Sequence, residues 1–280
     1  MILQSQISKL SNRLFKEQAG RRIPEAVLER DYCIAWFLVG LSRSTLREKL
    51  LFKGGTALKR CYFDNYRFSE DMDFTLTGDL TFEVLKSELE LVYSEVKKAS
   101  GIVFRFSRDD RAPHQNSFTF YLGYEGPLPT MSSGREIKVD VTIKECVVYP
   151  AAELAVLRAY AEYDDLPEGA TVRVYSLQEI AVEKTVALLD RARTEPRDLF
   201  DLWYLTTQSK RVDLSEIQDG IKQKLAFRGK TLDDVRGEFE KKEARLKKTW
   251  NTRLSSQMSA LPEFDGVYRA VKRELRHAAF

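Results

Sequence analysis

In Phe68-Ser69-Glu70-Asp71-Met72-Asp73-Phe74-Thr75-Leu76 the side chains alternate, with Asp71, Asp73 and Thr75 on one face and Met72, Phe74 and Leu76 on the other. Two aspartates on one face repel each other, and Asp is depleted in strands, so the pair calls for a compensating cation. A hard divalent ion supplies it, and Mg²⁺ takes one or two carboxylates together with substrate phosphate oxygens. The competing reading is a turn at the entrance of a strand. A second alternating run, Glu136 to Ile143, sets Ile137, Val139, Val141 and Ile143 on an apolar face with Asp140 opposite. Beside the Asp71/Asp73 strand, Asp140 would complete a three-carboxylate cluster able to hold two metals, or one metal and an attacking hydroxyl.

Two further segments invite phosphate. Phe52-Lys53-Gly54-Gly55-Thr56-Ala57-Leu58-Lys59 reads as strand end, double glycine and helix start, where missing side chains let backbone N–H groups approach a phosphate. A tight turn is the plainer reading. Lys53 precedes the glycines, so this is not a Walker P-loop, and GxGxxG is absent. Ser176-Leu177-Gln178-Glu179 has the form of a capping box. In the helix it would open, Leu177, Ile180, Ala181, Lys184 and Leu188 form one stripe and Val182, Val186 and Leu189 another. Lys184 then lies within an apolar face, either snorkelling to water or holding a triphosphate. In Glu195-Pro196-Arg197-Asp198-Leu199-Phe200-Asp201, Pro196 suits a first helical position and Asp198 the positive end of the helix dipole. The dipole explains Asp201 less well. Arg197 would pair with these acids or with a nucleotide phosphate.

The elements that must position these residues follow from spacing and punctuation. Residues 4–19 and 25–49 read as helices, with Ile7, Leu10 and Leu14, then Val27, Tyr32 and Trp36, at helical intervals. Residues 82–99 read as a helix, and 102–106, 117–123 and 136–143 as strands. Helices dominate beyond residue 151, apart from a short strand at 171–175. The pattern predicts an α+β fold, a mixed sheet with N-terminal helices in residues 1–150 and a helical domain in 151–280.

Composition narrows the chemistry. The 280 residues carry 45 Lys and Arg against 42 Asp and Glu, a formal +3, so any nucleic-acid affinity must come from a local patch. Such a patch is offered by Lys241, Lys242, Arg245, Lys247, Lys248, Arg269, Lys272, Arg273 and Arg276, which read equally as solvated helix faces beside Glu238, Glu240 and Glu243. His114 and His277 are the only histidines, which disfavours histidine-based catalysis. Cys33, Cys61 and Cys146 lack metal or disulfide spacing. Lys9, Arg13 and Lys16 interrupt the N-terminal apolar positions, so no signal peptide is read there. No apolar run approaches the roughly 20 residues of a membrane span. A cytoplasmic protein is expected.

Together these segments resemble the AbiEii/AbiGii-type nucleotidyltransferase toxins, the MenA/MenT-like, type IV toxin–antitoxin branch of the polymerase-β nucleotidyltransferase superfamily. The resemblance runs from Glu29-Arg30-Asp31-Tyr32 through Phe52–Leu58, Arg67–Phe74, Val139-Asp140-Val141 and Glu183-Lys184 to Arg197–Leu202. It implies a nucleotidyltransferase core with a helical C-terminal domain, Mg²⁺ or Mn²⁺ as cofactor, and transfer of nucleotides from an NTP to RNA, at the tRNA 3′ end. A cognate antitoxin protein is implied as a partner. Matched position by position, Asp71, Asp73 and Asp140 would bind metal, and Lys53, Gly54, Gly55, Thr56 and Ser69 would line the NTP. Lys184 would hold the triphosphate, with Arg197 and Asp201 near it. Asp198 matches the last acidic motif, and Asp201 competes for that assignment. The alternatives are transfer to a protein or small-molecule hydroxyl, or a nucleotide-binding regulatory module without turnover.

Overall fold

Apolar side chains at three- and four-residue spacing form α1 (Gln4–Gln18), which buries Ile7, Leu10 and Leu14. The helix after it, α2 (Glu25–Ser42), is apolar almost all round and accordingly buried along most of its length. The computed structural model describes residues 1–18, 20–110, 115–129, 135–190 and 193–280. His114 lies outside these described residues. The chain divides into a sheet unit, Met1–Glu145, Ala151–Val174 and Gln257–Ser259, and a helical unit, Cys146–Pro150, Tyr175–Ser256 and Ala260–Phe280.

In the sheet unit, β1 (Leu50–Lys53) leads into the short helix α3 (Gly54–Ala57) and a π-turn over Leu58–Tyr62. Then come β2 (Met72–Leu76), α4 (Phe82–Ser100), β3 (Val103–Asp109), β4 (Ser117–Glu125) and β5 (Glu136–Thr142). β6 (Ala152–Ala155) and β7 (Thr171–Val174) complete a seven-stranded mixed sheet of order β3-β4-β5-β2-β1-β7-β6. β2 runs parallel to β5 and β1 parallel to β7, while the other neighbours are antiparallel. On one face Phe52 and Phe74 form a cross-strand pair with ring centroids 5.2 Å apart. Gly40 lets α2 and α4 approach closely, since a Cβ there would lie 2.5 Å from Val96 Cγ2.

The helical unit contains α5 (Leu177–Leu189), α6 (Pro196–Trp203), α7 (Gln218–Phe227), α8 (Leu232–Val235), α9 (Glu238–Lys241), α10 (Glu243–Leu254) and α11 (Phe264–His277). Both apolar stripes of α5 are buried, so it is packed on two sides as its pattern requires. Pro196 stands at the first turn of α6.

Two expectations are displaced. The helix read over 25–49 stops at Ser42, because a 3₁₀ turn at Thr45–Glu48 precedes β1. In place of one division at residue 150, Ala151–Val174 joins the sheet unit through β6 and β7, with Val174 in register with Phe52, while Cys146–Pro150 belongs to the helical unit. Polar, turn-rich sequence between those short strands hides their pairing. None of the three cysteines forms a disulfide, and among the described residues no helix is long and apolar enough to cross a membrane.

Candidate active site

The face of the sheet opposite Phe52 and Phe74 carries the chemistry. Lys53 of β1 is in register with Asp73 of β2, Asp73 with Asp140 of β5, and Asp140 with Thr119 of β4. Register partners point to the same side, so four adjacent strands present a row of Lys53, Asp73, Asp140 and Thr119. Thr119 Oγ1 donates to Asp140 Oδ2 at 3.1 Å, fixing that carboxylate. Met72 and Phe74, and Ile137, Val139 and Val141, are buried on the other face, as the alternation of both strands requires. The parallel pairing that brings Asp73 and Asp140 together is the adjacency the sequence left open.

The double glycine fits against the acidic segment. Gly54 has φ +77°, a conformation that L side chains rarely adopt, and a Cβ there would lie 2.6 Å from Asp73 Oδ2. A Cβ on Gly55 would lie 2.4 Å from Arg67 Nη2 and 3.3 Å from Ser69 Oγ. Thr56 Oγ1 donates to the carbonyl of Asp71, which immediately precedes β2. Lys53, Thr56 and Ser69 are all buried. The structure thus brings together Lys53, Gly54, Gly55, Thr56, Ser69, Asp71, Asp73 and Asp140 within the sheet unit.

Behind this cluster, the Glu29-Arg30-Asp31-Tyr32 segment of α2 acts as a polar scaffold. Arg30 pairs with Glu70, the neighbour of Asp71. Asp31 pairs with the fully buried Arg60 at 3.1 Å, and Tyr32 donates to Asp165 at 2.7 Å. Glu29 accepts from Leu128 N and Arg135 Nη1 at 2.8 and 2.9 Å. Lys59, adjacent to Arg60, donates to Asp64 O and Tyr160 Oη, and burial pushes its amine down to about 7.

Lys184, Asp198 and Asp201 meet within the helical unit. Lys184 Nζ lies 2.7 Å from Asp198 Oδ1 and 2.9 Å from Asp201 Oδ2, and both carboxylates are buried. The lysine therefore does not snorkel; it is held between two acids. Burial pushes the Asp198 carboxyl upward, but Lys184 and then Arg193 outweigh it and leave its pKa below the ordinary range. Arg193, which the sequence reading did not single out, also pairs with Asp198, its Nε lying 2.9 Å from Asp198 Oδ2. The Ser176 hydroxyl caps α5 by accepting from Glu179 N, but Glu179 does not close a capping box. Its carboxylate instead accepts from Val148 N, Tyr149 N and the buried Lys224.

Part of the expected basic patch is ion-paired. Lys241 pairs with Glu238, Lys247 with Asp265, and Lys272 with Glu240. Lys242 is buried and donates to the carbonyls of Ala187, Leu188, Asp190 and Arg193, so it serves the C-terminus of α5. Arg245, Lys248, Arg269, Arg273 and Arg276 are exposed, Arg273 beside Glu274.

The donors in the strand row are hard carboxylate oxygens, which suit Mg²⁺ or Mn²⁺. Among the described residues no group of three or more His, Cys, Asp or Glu side chains is arranged to hold a metal unaided. Carboxylate oxygens of this kind, completed by substrate phosphate oxygens, fit a hard divalent ion. Sequence reasoning missed Thr119, Arg67 and Arg193 as parts of these clusters. Arg67 and Arg193 lie close in sequence to the motifs they serve, whereas Thr119 is revealed only by strand pairing.

Residues 36–270 match the model of a protein family described as nucleotidyl transferase AbiEii toxin, type IV toxin–antitoxin system. Among solved structures, the chain is similar to MenT4, a nucleotidyltransferase toxin from Mycobacterium tuberculosis H37Rv, at 17% identity, TM-score 0.57 and 96% coverage of both chains. It is also similar to JHP933 from Helicobacter pylori, at 15% identity and TM-score 0.55, covering 92% of this chain and 93% of that one. At these identities the likeness establishes a shared fold. No curated protein matched the sequence.

Proposed function

Because the chain belongs to the AbiEii family of nucleotidyl transferase toxins of type IV toxin–antitoxin systems, we propose that it transfers nucleotides from an NTP to an RNA acceptor. The tRNA 3′ end is the proposed site, and blocked translation the consequence. The observation that carries this reading is the in-register row Lys53, Asp73 and Asp140 beside the glycine cradle.

In this reading Gly54 and Gly55 admit the NTP phosphates close to backbone, with Thr56 and Ser69 as hydroxyl donors and Lys53 as a nearby cation. Asp71, Asp73 and Asp140 are the residues that would hold Mg²⁺ or Mn²⁺, which when bound neutralises charge on the phosphate oxygens. Asp140, its Oδ2 fixed by Thr119, accepts the proton of the acceptor hydroxyl as that oxygen attacks the α-phosphorus and pyrophosphate leaves. Within the helical unit, Asp198 and Asp201 set the position of the Lys184 ammonium.

Incubation with labelled NTPs, Mg²⁺ and deacylated tRNA tests the proposal. Label should move to RNA in a Mg²⁺-dependent manner. Asp71→Asn should slow that transfer by about a hundredfold or more, with the melting temperature little changed. Absence of transfer by the wild type, or full activity of the variant, would overturn it. The ion pairing of Lys241, Lys247 and Lys272 favours a second reading, transfer to a protein or small-molecule hydroxyl. Separation of the labelled species by size and chromatography distinguishes the two acceptors.

A further inference from the structure

Arg67 and Gln257 are almost wholly buried, at 4% and 5% exposure, and lie far apart in the chain yet within the same sheet unit. Arg67 Nη1 donates to Gln257 Oε1 at 2.9 Å and to Phe68 O at 3.3 Å. The main chain of Gln257 grips the same segment, its carbonyl accepting from Phe68 N at 2.7 Å. Two residues on, Ser259 O accepts from Arg21 N at 3.0 Å, anchoring the strap to the N-terminal region. The other edge of the guanidinium faces the cradle, since a Cβ on Gly55 would lie 2.4 Å from Arg67 Nη2 and 3.1 Å from Cζ. A side chain at position 55 would force the guanidinium to shift from this place.

We propose that Arg67 is a further phosphate-binding cation of the NTP cradle and that Gln257 is its positioning residue, setting the guanidinium against Gly55 through the Oε1 contact. This inference rests on the nucleotidyltransferase reading and deepens it. Arginine stays charged and offers a planar fork of donors matched to phosphate oxygens. With one edge of that fork committed to Gln257 and Phe68, its orientation is set before the NTP arrives. The residue that sets it lies outside every motif that resembles the family.

The test uses the full chain with Arg67→Lys, Gln257→Ala and Gln257→Glu, measuring NTP turnover, inhibition by inorganic tripolyphosphate and melting temperature. Arg67→Lys keeps a positive charge but loses the fork, and should raise the NTP KM about tenfold or more. Gln257→Ala should raise KM by more than it lowers kcat, and should weaken tripolyphosphate inhibition in parallel. Gln257→Glu retains an acceptor oxygen for Arg67 and should restore KM toward the wild-type value. Wild-type KM and tripolyphosphate inhibition in both Arg67→Lys and Gln257→Ala would overturn the proposal. So would a lowered melting temperature with unchanged KM, which marks a purely structural contact. Failure of the wild type to turn over any NTP would instead overturn the underlying reading, and the proposal with it.

Discussion

Lys184 sits on an apolar helix, where a lone ammonium would be costly, and two buried aspartates compensate it. The charge on Asp198 is kept by Lys184 and Arg193 against the opposing effect of burial. A carboxyl whose pKa is depressed on folding stabilises the native state above its unfolded pKa, and that contribution is lost as pH falls through the lower folded value. Asp198→Asn should therefore reduce stability near neutral pH by up to about 3 kcal/mol, since one partner of a buried pair is removed. The gap from wild type should close as the wild-type Asp198 protonates below about pH 4. Thermal melts of both proteins across that range check the sign. A gap that widens in acid would contradict it.

Two helix ends depend on groups that have no neighbour in sequence to explain them. At the start of α3, Gly54 combines positive φ with contact against Asp73. Gly54→Ala should cost about 1–2 kcal/mol from the left-handed backbone and should also displace the Asp73 carboxylate. Activity should consequently fall further than the melting temperature alone accounts for, as parallel melts and NTP-turnover assays would show. At the end of α5, the carbonyls that share the three N–H donors of Lys242 would lose them in Lys242→Met. That variant should lose about 2 kcal/mol or more of stability in denaturant titration. The exposed control Lys248→Met should remain within about 0.5 kcal/mol of wild type.

For the molecule as a whole, a nearly balanced charge leaves little long-range attraction for RNA, and internal ion pairs consume much of the basic excess near the C-terminus. On the proposal of an RNA acceptor, binding would draw on exposed cations such as Arg245, Lys248 and Arg276. The triple variant Arg245→Gln, Lys248→Gln, Arg276→Gln should weaken tRNA binding uniformly. It should also flatten the salt dependence of log K by roughly 0.7–0.9 for each phosphate that is no longer neutralised. The melting temperature should change little. Unaltered affinity and salt slope would point away from this surface, and so toward a different acceptor or a different RNA-binding face.

Much of this was written in local sequence, because alternation and helical spacing are local properties. The periodicity around Met72–Leu76 and Glu136–Thr142 established which face of each strand holds aspartate, and Pro196 marked the start of α6. The motif spacing also identified the family, since Lys53-Gly54-Gly55-Thr56 and Asp71-Met72-Asp73 keep their order whatever the remaining packing does. Tertiary structure decided the pairings. Only strand register sets Asp73 beside Asp140 and gives Asp140 the hydroxyl of Thr119. Only folding turns Lys242 from a surface charge into the support of a helix end, and sends Glu179 to Lys224 instead of its own N-cap. A long charged side chain reaches several ångströms in any direction, so its partner depends on which distant backbone passes nearby. The same freedom put Gln257 behind Arg67, where no local pattern could place it.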